Sequence, residues 1–408
     1  MKTEIILGLN DNAWQLELIS NLNEQSNVII KRRCVDAIDL ISSIQTSNSI
    51  TVVISADFSL LNLETIKHIN QNNVKVIGVY LTEELDQYEK LKNLGLKFTQ
   101  GINFRDVESS AMQLMNLIET KEETKSLELT IPGLISIWGN HGAPGRTTVA
   151  INIAYCLAKA NQPTLIVDLD AVAPSISSSL SIVSEIPGIS STIHDAMYGK
   201  LSKSNFDKNI FEVSKNLHVL TGISNSKRWM ELRTAGLIEV LKFASQFYAN
   251  IVCDLSSVLP DQLEKDNYDQ GIFKRFEHIP KILELSSKII YVMQANPLSL
   301  IRCNDNLEIL REINPLEPFI VLNRVNQVYL GKRYESVIND ILLRWTTYEK
   351  IIKIEEDIEL FAKSWLKAQE VINKENKRVT DAFNLLASYL LNENFVPKKG
   401  IRKLKTAS

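Results

Sequence analysis

The segment from Ile135 to Thr148 reads ISIWGNHGAPGRTT and joins an apolar strand to a helix through a glycine-rich turn. This is the layout of a phosphate-binding loop, in which backbone N–H groups of the turn and of the helix N-terminus face an anion. A cation and a hydroxyl follow the last glycine of such loops, and Arg146 and Thr147 hold those places. The segment therefore predicts a nucleotide phosphate site, although an ordinary strand–turn–helix connection has the same outline.

Two positions depart from the usual loop pattern G-x-x-x-x-G-K-[ST]. Asn140 stands where the pattern has its first glycine, and Arg146 stands where it has lysine. A guanidinium is a planar fork that can grip two oxygens, whereas a lysine ammonium is a point charge. We therefore expect the cation to meet a phosphate with a different geometry.

Polar residues end several later apolar strands of the predicted sheet. They are Asp168 and Asp170 at the end of the second strand, Asp254 at the end of the third, and Asn323 and Arg324 after the fifth. The carboxyl ends of parallel strands share one edge, so these acids are expected where Mg²⁺ and a nucleotide-activated water would lie. A single acid after a strand is usually a turn or helix cap. For Asp168, capping and direct chemistry both remain open.

With these motifs, residues 131–395 resemble the deviant-Walker P-loop ATPases that include MinD, ParA and the pilus-assembly proteins CpaE and TadZ. The loop of that family usually reads G-K-G-G-x-G-K-T-T. This chain keeps glycine at positions 142 and 145 and threonine at positions 147 and 148. Its arginine-containing loop also looks like a variant found in actinobacterial relatives.

The resemblance implies ATP and Mg²⁺ as ligands and a homodimer that forms on ATP binding. The cofactor-binding residues that it implies are Gly142, Ala143, Pro144, Gly145, Arg146, Thr147, Thr148, Asn323 and Arg324. The implied metal ligands are Thr147 and Asp254, and the implied catalytic residues are Asp170, Arg146, His141 and Asp168. His141 aligns with the family's signature lysine, which reaches the phosphates held by the other subunit. A neutral imidazole would not fully replace that charge, so slow hydrolysis is expected.

The first 120 residues predict a separate domain of alternating strands and helices. Apolar runs near residues 5–7, 28–30, 51–54, 74–79 and 97–99 alternate with helix-period segments. Five such repeats predict a doubly wound parallel sheet. The expected fold class is therefore α/β with two doubly wound domains, a flavodoxin-like one and a P-loop NTPase one. The first resembles the receiver fold of response regulators, as the leading domains of CpaE and TadZ do.

Receiver chemistry requires an acid pair after strand one, an aspartate after strand three and a lysine after strand five. Here the only acid just after strand one is Asp11, Asp57 is displaced from the end of strand three, and Gly101 or a neighbour stands where the lysine belongs. Without that cation, phosphoryl transfer would lack charge stabilisation. The domain is expected to be a pseudo-receiver used for docking or dimerisation.

The remaining segments carry weaker signals. Polar residues 121–130 predict a linker, and a basic tail occupies 396–408. The helix around Val379 to Leu390 either packs on the ATPase core, the favoured alternative, or helps the tail grip a membrane surface. The segment around Trp229 either binds a partner or packs under its loop. The acidic stretch from Asp261 to Asp269 predicts only a surface loop.

Composition indicates a cytoplasmic protein, with peripheral attachment at the membrane or cell pole left open. The net charge is −3, so nucleic acid is not expected as a specific ligand. The four cysteines are scattered, which argues against an iron–sulfur protein of the nitrogenase type. The region from Asn392 to Ser408 lacks the tyrosine cluster of polysaccharide-type tyrosine kinases.

The favoured function is an ATP-switched dimer that positions a pilus or secretion apparatus through a protein partner. One alternative is ParA-like or MinD-like partitioning of DNA or of the division site. Another is a pseudo-ATPase scaffold in which the nucleotide is only structural.

Overall fold

The computed structural model describes residues 3–44, 50–71, 74–120, 130–142, 144–183, 188–258, 274–326, 328, 331, 336, 338, 350–372 and 375–392. Four sequence predictions lie outside the described residues: Ala143 in the loop, nearly all of the 121–130 linker, the Asp261–Asp269 stretch and the 396–408 tail. The chain divides into two compact units. Unit 1 comprises Met1–Leu127, Ser191–Lys208 and Ala235–Val240, and unit 2 comprises Glu128–Ser190, Asn209–Thr234 and Leu241–Ser408.

Unit 1 contains a five-stranded parallel sheet. Its strands are β1 (Thr3–Gly8), β2 (Val28–Arg33), β3 (Thr51–Ser55), β4 (Lys75–Leu81) and β5 (Phe98–Ile102), and the intervening helices are α1 (Ala13–Glu24), α2 (Ala37–Ile44), α3 (Leu63–Gln71), α4 (Leu85–Asn93) and α5 (Val107–Glu119). The strand order is β2-β1-β3-β4-β5, which is the flavodoxin-like order of doubly wound sheets. This confirms the predicted parallel α/β architecture, while the receiver resemblance stays a prediction.

Continuous apolar runs form the centre of this sheet because helices cover both of its faces. Every residue of β3 is buried, whereas the edge strand β2 ends in exposed charged residues. One core cluster joins Leu7 and Val53 of the sheet to Leu18 of α1 and Leu114 of α5. The alternation of short apolar strands and amphipathic helices therefore accounts for the whole layered arrangement.

The second sheet has eight strands, which are β6 (Ile131–Gly139), β7 (Thr164–Leu169), β8 (Ile210–Ser214), β9 (Leu217–Leu220), β10 (Asn250–Leu255), β11 (Ser286–Gln294), β12 (Phe319–Val325) and β13 (Lys350–Glu355). Their order is β13-β12-β11-β6-β10-β7-β9-β8, and all described neighbours pair in parallel except β8 and β9.

The helices in this half of the chain are α6 (Arg146–Lys159), α7 (Ile176–Ser179), α8 (Gly188–Met197), α9 (Lys203–Asp207), α10 (Thr234–Ala244), α11 (His278–Leu285), α12 (Pro297–Ile313), α13 (Ile358–Lys367) and α14 (Lys377–Leu390). A 3-10 helix spans Ser226–Glu231, and Trp229 lies half-buried within it. No helix in the described part of the chain is long and apolar enough to cross a membrane.

The core of unit 2 forms around α6, whose residues from Val149 to Ala158 are all buried. The apolar face of α14 belongs to the same cluster through Val379, Phe383 and Leu386. Of the two alternatives for the C-terminal helix, packing on the core is therefore the one observed.

The sheet register brings the predicted site residues to one edge. Strand β10 lies between β6 and β7, and Asp254 pairs with Ile137 on one side and with Asp168 on the other. All three strands run in the same direction, so their carboxyl ends meet where the β6–α6 loop begins. The two acids are consequently neighbours in space although they are 86 positions apart in sequence.

Candidate functional site

The loop between β6 and α6 begins at a fully buried asparagine. Asn140 Nδ2 donates to Ser299 O at 2.8 Å, and its Oδ1 accepts hydrogen bonds from Asn306 Nδ2 at 3.1 Å and from the Tyr291 hydroxyl. Its backbone N–H donates to Val292 O at 3.2 Å. A glycine at this position would make none of the side-chain bonds, so the first departure from the usual pattern anchors the loop to β11 and α12.

Arg146 links the ends of three strands. Its Nη1 donates to Asn140 O at 2.8 Å and its Nε donates to Leu255 O at 3.0 Å. Its Nη2 lies 3.9 Å from Asp170 Oδ2. The forked guanidinium makes these contacts from one rigid group, which a lysine ammonium could not do. The second departure from the pattern therefore places a permanent positive charge among the ends of β6, β10 and β7.

Two loop residues have left-handed backbone conformations that favour glycine. Gly145, at the N-cap of α6, has φ 97°, and Gly142 has φ 92°. A Cβ on Gly145 would collide with Asn323 Nδ2, whereas a Cβ on Gly142 would point into open space. The backbone around Gly142 is thus open to a ligand, as the sequence prediction requires of a phosphate cradle.

Asn323 braces this loop from the end of β12. Its Nδ2 donates to Pro144 O at 2.7 Å and its Oδ1 accepts from Arg324 N at 2.9 Å. Arg324 is exposed and has φ 55°. Both ends of the Asn323 amide are therefore hydrogen-bonded within the protein. Asn323 also lines the pocket next to this loop.

Thr147 and Asp254 form the centre of the predicted metal site. Thr147 Oγ1 donates to Asp254 Oδ2 at 2.6 Å and lies 3.1 Å from Ser175 Oγ. Asp254 is buried inside β10, and this burial, together with the nearby Asp168 carboxylate, raises its pKa. A cation bound beside Asp254 would stabilise the ionised form of its carboxyl group.

Asp168 orders the segment that follows β7. Its Oδ2 accepts from Ser175 N and Ile176 N, both at 2.9 Å, and its Oδ1 accepts from Asp170 N at 3.2 Å. Burial raises the pKa of Asp168, and these backbone donors partly oppose the shift. Capping, one of the two alternatives for this residue, is therefore present in the structure.

Asp170 is mostly buried and has one oxygen committed to its own turn. Oδ1 accepts from Val172 N at 2.8 Å and from Ala173 N at 3.0 Å. Oδ2 is the oxygen that faces the Arg146 guanidinium. The arrangement holds a carboxylate beside the cation of the loop.

His141 is exposed, and its Nδ1 lies 2.9 Å from Ser257 Oγ. The residue at the signature-lysine position is thus hydrogen-bonded to the segment that follows β10 within its own chain. Its predicted reach toward a second subunit stays a prediction.

The donor set fits Mg²⁺ bound with a nucleotide. Thr147 and Asp254 offer hard oxygen ligands, and the clustered, buried carboxyl groups would be offset by a divalent cation. Among the described residues there is no group of three or more His, Cys, Asp or Glu side chains that could hold a metal ion. Magnesium in this place would therefore depend on phosphate oxygens and water for most of its ligands, as it commonly does.

A pocket of about 280 Å³ adjoins the loop. Its lining combines the loop and helix start with the ends of β12 and β13 and with α13: Gly145, Thr148, Asn323, Arg324, Glu356, Asp357, Ile358, Phe361, Ala362 and Trp365. Trp365 is 73% exposed, which is unusual for so large an apolar side chain. A flat aromatic ring beside a candidate phosphate loop is suited to stack against a nucleotide base.

Several residues that shape the site were not predicted from the sequence. The anchor residues Tyr291, Ser299 and Asn306 left no signal of their own, because isolated polar residues in a strand or helix do not reveal their partners. Asn140 itself was a signal, since a polar residue replaced the pattern's glycine. The acidic run that precedes Trp365 at the end of the last strand could also have marked the pocket.

A family model described as an AAA domain matches residues 133–260. No curated protein sequence matches the chain. Among solved structures, the ParA family ATPase from Chlorobium tepidum TLS aligns with a TM-score of 0.50 at 18% identity, covering 62% of this chain and 98% of that one. The cell division ATPase MinD from Pyrococcus furiosus aligns with a TM-score of 0.49 at 19% identity, covering 64% and 98%. At 18% identity, the alignment with the ParA family ATPase shows a shared fold alone. The segment that the family model matches contains the loop, Asp168, Asp170 and Asp254.

Proposed function

We propose that unit 2 is a Mg-ATP-binding switch with slow hydrolysis. The observation that carries the proposal is the meeting, at one sheet edge, of a left-handed glycine at a helix start, a fixed arginine and a hydroxyl–carboxylate pair. Gly145, Arg146, Thr147 and Asp254 supply these groups. Helix N-termini attract anions and hard oxygen ligands attract Mg²⁺. This sheet edge therefore has the two features that binding of a nucleoside triphosphate with Mg²⁺ requires.

The proposed roles of the residues are supported by their positions. The open backbone at Gly142 and the start of α6 would receive phosphate oxygens, with Arg146 as the neighbouring cation. Thr147 and Asp254 would hold Mg²⁺, which would neutralise charge on the phosphates. Asp170 would orient the attacking water, because its Oδ2 is the carboxylate oxygen that faces the cation.

The adjoining pocket would receive the base. Trp365 and Phe361 provide aromatic surface there, and Thr148 and Asn323 border it on the loop side. Stacking tolerates any base because every base has a π-face. Preference for adenine therefore has to come from the polar lining, which includes Glu356 and Asp357.

We further propose that ATP pairs two copies of the chain and that the dimer positions a pilus or secretion apparatus through a protein partner. The support is the order of the two sheets along the chain, a flavodoxin-like one followed by one with the fold of a ParA family ATPase. ParA-like or MinD-like partitioning is the alternative with the same fold. Slow turnover would suit either role, because the ATP-bound state would persist.

A second candidate function is a pseudo-ATPase scaffold. Its support is that several polar groups of the site already make hydrogen bonds within the protein. Arg146 is bonded to two main-chain carbonyls and Asp168 caps the segment after β7. In a scaffold of this kind the nucleotide would bind and stabilise the fold without being hydrolysed.

Four measurements distinguish these functions: tryptophan fluorescence, calorimetry, light scattering and phosphate release. Mg-ATP titration should quench the fluorescence of Trp365, and Trp365→Phe should remove that quenching while ATP still binds by calorimetry. Light scattering should show ATP-dependent doubling of the mass, and phosphate release should be slow but measurable. ATP binding without phosphate release would select the scaffold, and failure to bind ATP would refute both candidates. Trp14→Phe, which changes a tryptophan buried in unit 1, is the matched control for the fluorescence signal.

A further inference from the structure

Side chains from a separate helical segment hold the backbone on both sides of Asp170. The carbonyl groups that flank this residue are Leu169 O and Ala171 O. His278 Nε2 lies 3.1 Å from the first, and Arg275 Nη2 donates to the second at 2.7 Å. His278 begins α11 and Arg275 lies in the helical turn just before it. Two hydrogen-bond donors from one segment therefore hold the main chain from Leu169 to Ala171.

These two hydrogen bonds affect the direction in which the Asp170 carboxylate points. Because Asp170 Oδ1 is committed to the backbone of Val172 and Ala173, the remaining oxygen is aimed by the turn itself. That oxygen lies 3.9 Å from Arg146 Nη2. A shift of the main chain on either side of Asp170 would move Oδ2 relative to the cation of the loop.

Both side chains are chemically suited to hold a carbonyl group. A carbonyl oxygen only accepts, so the proton of the His278 ring lies on Nε2. His278 is fully buried, and burial lowers its pKa to about 4, which keeps the ring neutral at physiological pH. Arg275 keeps its charge and forms the stronger, charge-assisted bond. The residues are three positions apart and so share one helical face.

We propose that Arg275 and His278 are positioning residues that hold the Leu169–Ala171 main chain and so aim Asp170 at the cation of the phosphate loop. The proposal rests on the proposed function, because Asp170 has a task only if a nucleotide binds beside it. The two residues would act through the backbone and not on the ligand, so they should affect turnover more than affinity.

The kinetic test compares Arg275→Met with Arg275→Lys. We expect Arg275→Met to lower kcat for phosphate release about tenfold and to leave the Kd for Mg-ATP within about twofold. Arg275→Lys, which keeps a donor and the charge, should restore most of the rate. His278→Gln should likewise retain more activity than His278→Leu, because a glutamine amide can still donate to Leu169 O.

A double-mutant cycle separates positioning from a general loss of stability. In an Asp170→Asn background, Arg275→Met should cause no further loss of rate, because the group that it aims is already gone. Lys281→Met is the matched control, since Lys281 lies on α11 and pairs with Glu284 at the surface. An unchanged rate in Arg275→Met, or an undiminished loss in the Asp170→Asn background, would overturn the proposal.

Hydrogen exchange keeps the test independent of turnover. Amides of the segment from Leu169 to Ala173 should exchange faster in Arg275→Met than in wild type, while amides of β12 should not change. Equal exchange in the two proteins would refute the proposal that Arg275 holds this main chain, even if the wild type binds ATP. A wild-type chain that fails to bind Mg-ATP refutes the proposed function by itself, and the exchange result still decides whether Arg275 holds this turn.

Discussion

Each of the two sheets has an aspartate where a parallel strand ends, but the chemistry around that aspartate differs between them. In unit 2, Asp254 meets the Thr147 hydroxyl, and the Arg146 guanidinium bonds to the carbonyl of the next residue in β10. In unit 1, Asp57 Oδ2 accepts from Asn12 Nδ2 at 2.8 Å and Oδ1 accepts from Gln15 Nε2 at 2.9 Å. Neutral amides occupy both oxygens of Asp57.

The difference shows that a doubly wound sheet brings strand ends together at one edge but does not determine which functional groups stand there. Function depends on the groups at the strand ends, because the same architecture supports many chemistries. Lys90 interacts electrostatically with Asp57, and its Nζ donates to Ala56 O at 2.6 Å. It comes from α4 and not from the end of β5, where receiver chemistry would need it.

The largest expected effect concerns the anchor of the loop. Asn140→Ala would leave the buried Ser299 carbonyl, Tyr291 hydroxyl and Asn306 amide without this partner, which should lower the free energy of unfolding by about 2–4 kcal/mol. Urea denaturation would measure the loss. Asn12→Ala is the matched control at the other edge, because Asn12 is exposed. Similar losses in the two variants would contradict the difference drawn between the edges.

A second expectation is a stability that depends on pH. Burial raises the pKa of Asp254, so the folded state binds that proton more tightly than the unfolded state. The free energy of unfolding of the ligand-free protein should therefore fall as pH rises from the unfolded pKa of about 3.9 through the raised folded pKa.

Asp254→Asn removes this titration. At pH 8 the variant should be more stable than the ligand-free wild type by about 1–3 kcal/mol, and the advantage should shrink toward pH 5. Asp57→Asn should give no such gain, because Asp57 already receives two amide hydrogen bonds. Thermal melting across this pH range checks both, and a destabilised Asp254→Asn at pH 8 would show that the buried charge is compensated.

A smaller effect is expected at the signature-lysine position. If ATP pairs two subunits, His141→Lys should raise phosphate release about tenfold, which is less than the 10³–10⁵ of an optimised arginine finger. The exposed His194→Lys serves as the control. An ATP-dependent dimer whose rate stays unchanged in His141→Lys would show that His141 does not stand in for that lysine.

No effect at all is expected from phosphodonors on the first unit. Acetyl phosphate with Mg²⁺ should add no phosphoryl group to residues 1–120, as measured by the intact mass of the chain. A mass shift that Asp57→Asn abolishes would show that this edge is a working receiver site.

The sequence was sufficient for the five strands of unit 1 and for five strands of the second sheet, because these are short apolar runs separated by helices, as in β3 and α3. It did not predict β8 and β9 at one end of the second sheet or β13 at the other end. It also predicted that Asp254 and Asp170 would meet near Thr147, since acids at strand ends converge whenever the strands are parallel. The roles of these three residues stay predictions. The sequence could not supply the hydrogen bonds that brace the loop. Tyr291 and Asn306 lie 151 and 166 residues beyond Asn140. They meet it because β11 pairs with β6 and the next helix, α12, follows β11. Contacts of that kind depend on strand order, which local sequence patterns do not specify.

Calorimetric titration with Mg-ATP tests the central claim most directly. Wild type should bind, and Arg146→Ala should bind about 10–100-fold more weakly, because it loses a charge-assisted contact to phosphate. Arg378→Ala, which removes an exposed arginine paired with Glu355, should bind like wild type. Equal affinity in wild type and Arg146→Ala, or no binding by wild type, would contradict the assignment of the β6–α6 loop as a nucleotide phosphate site.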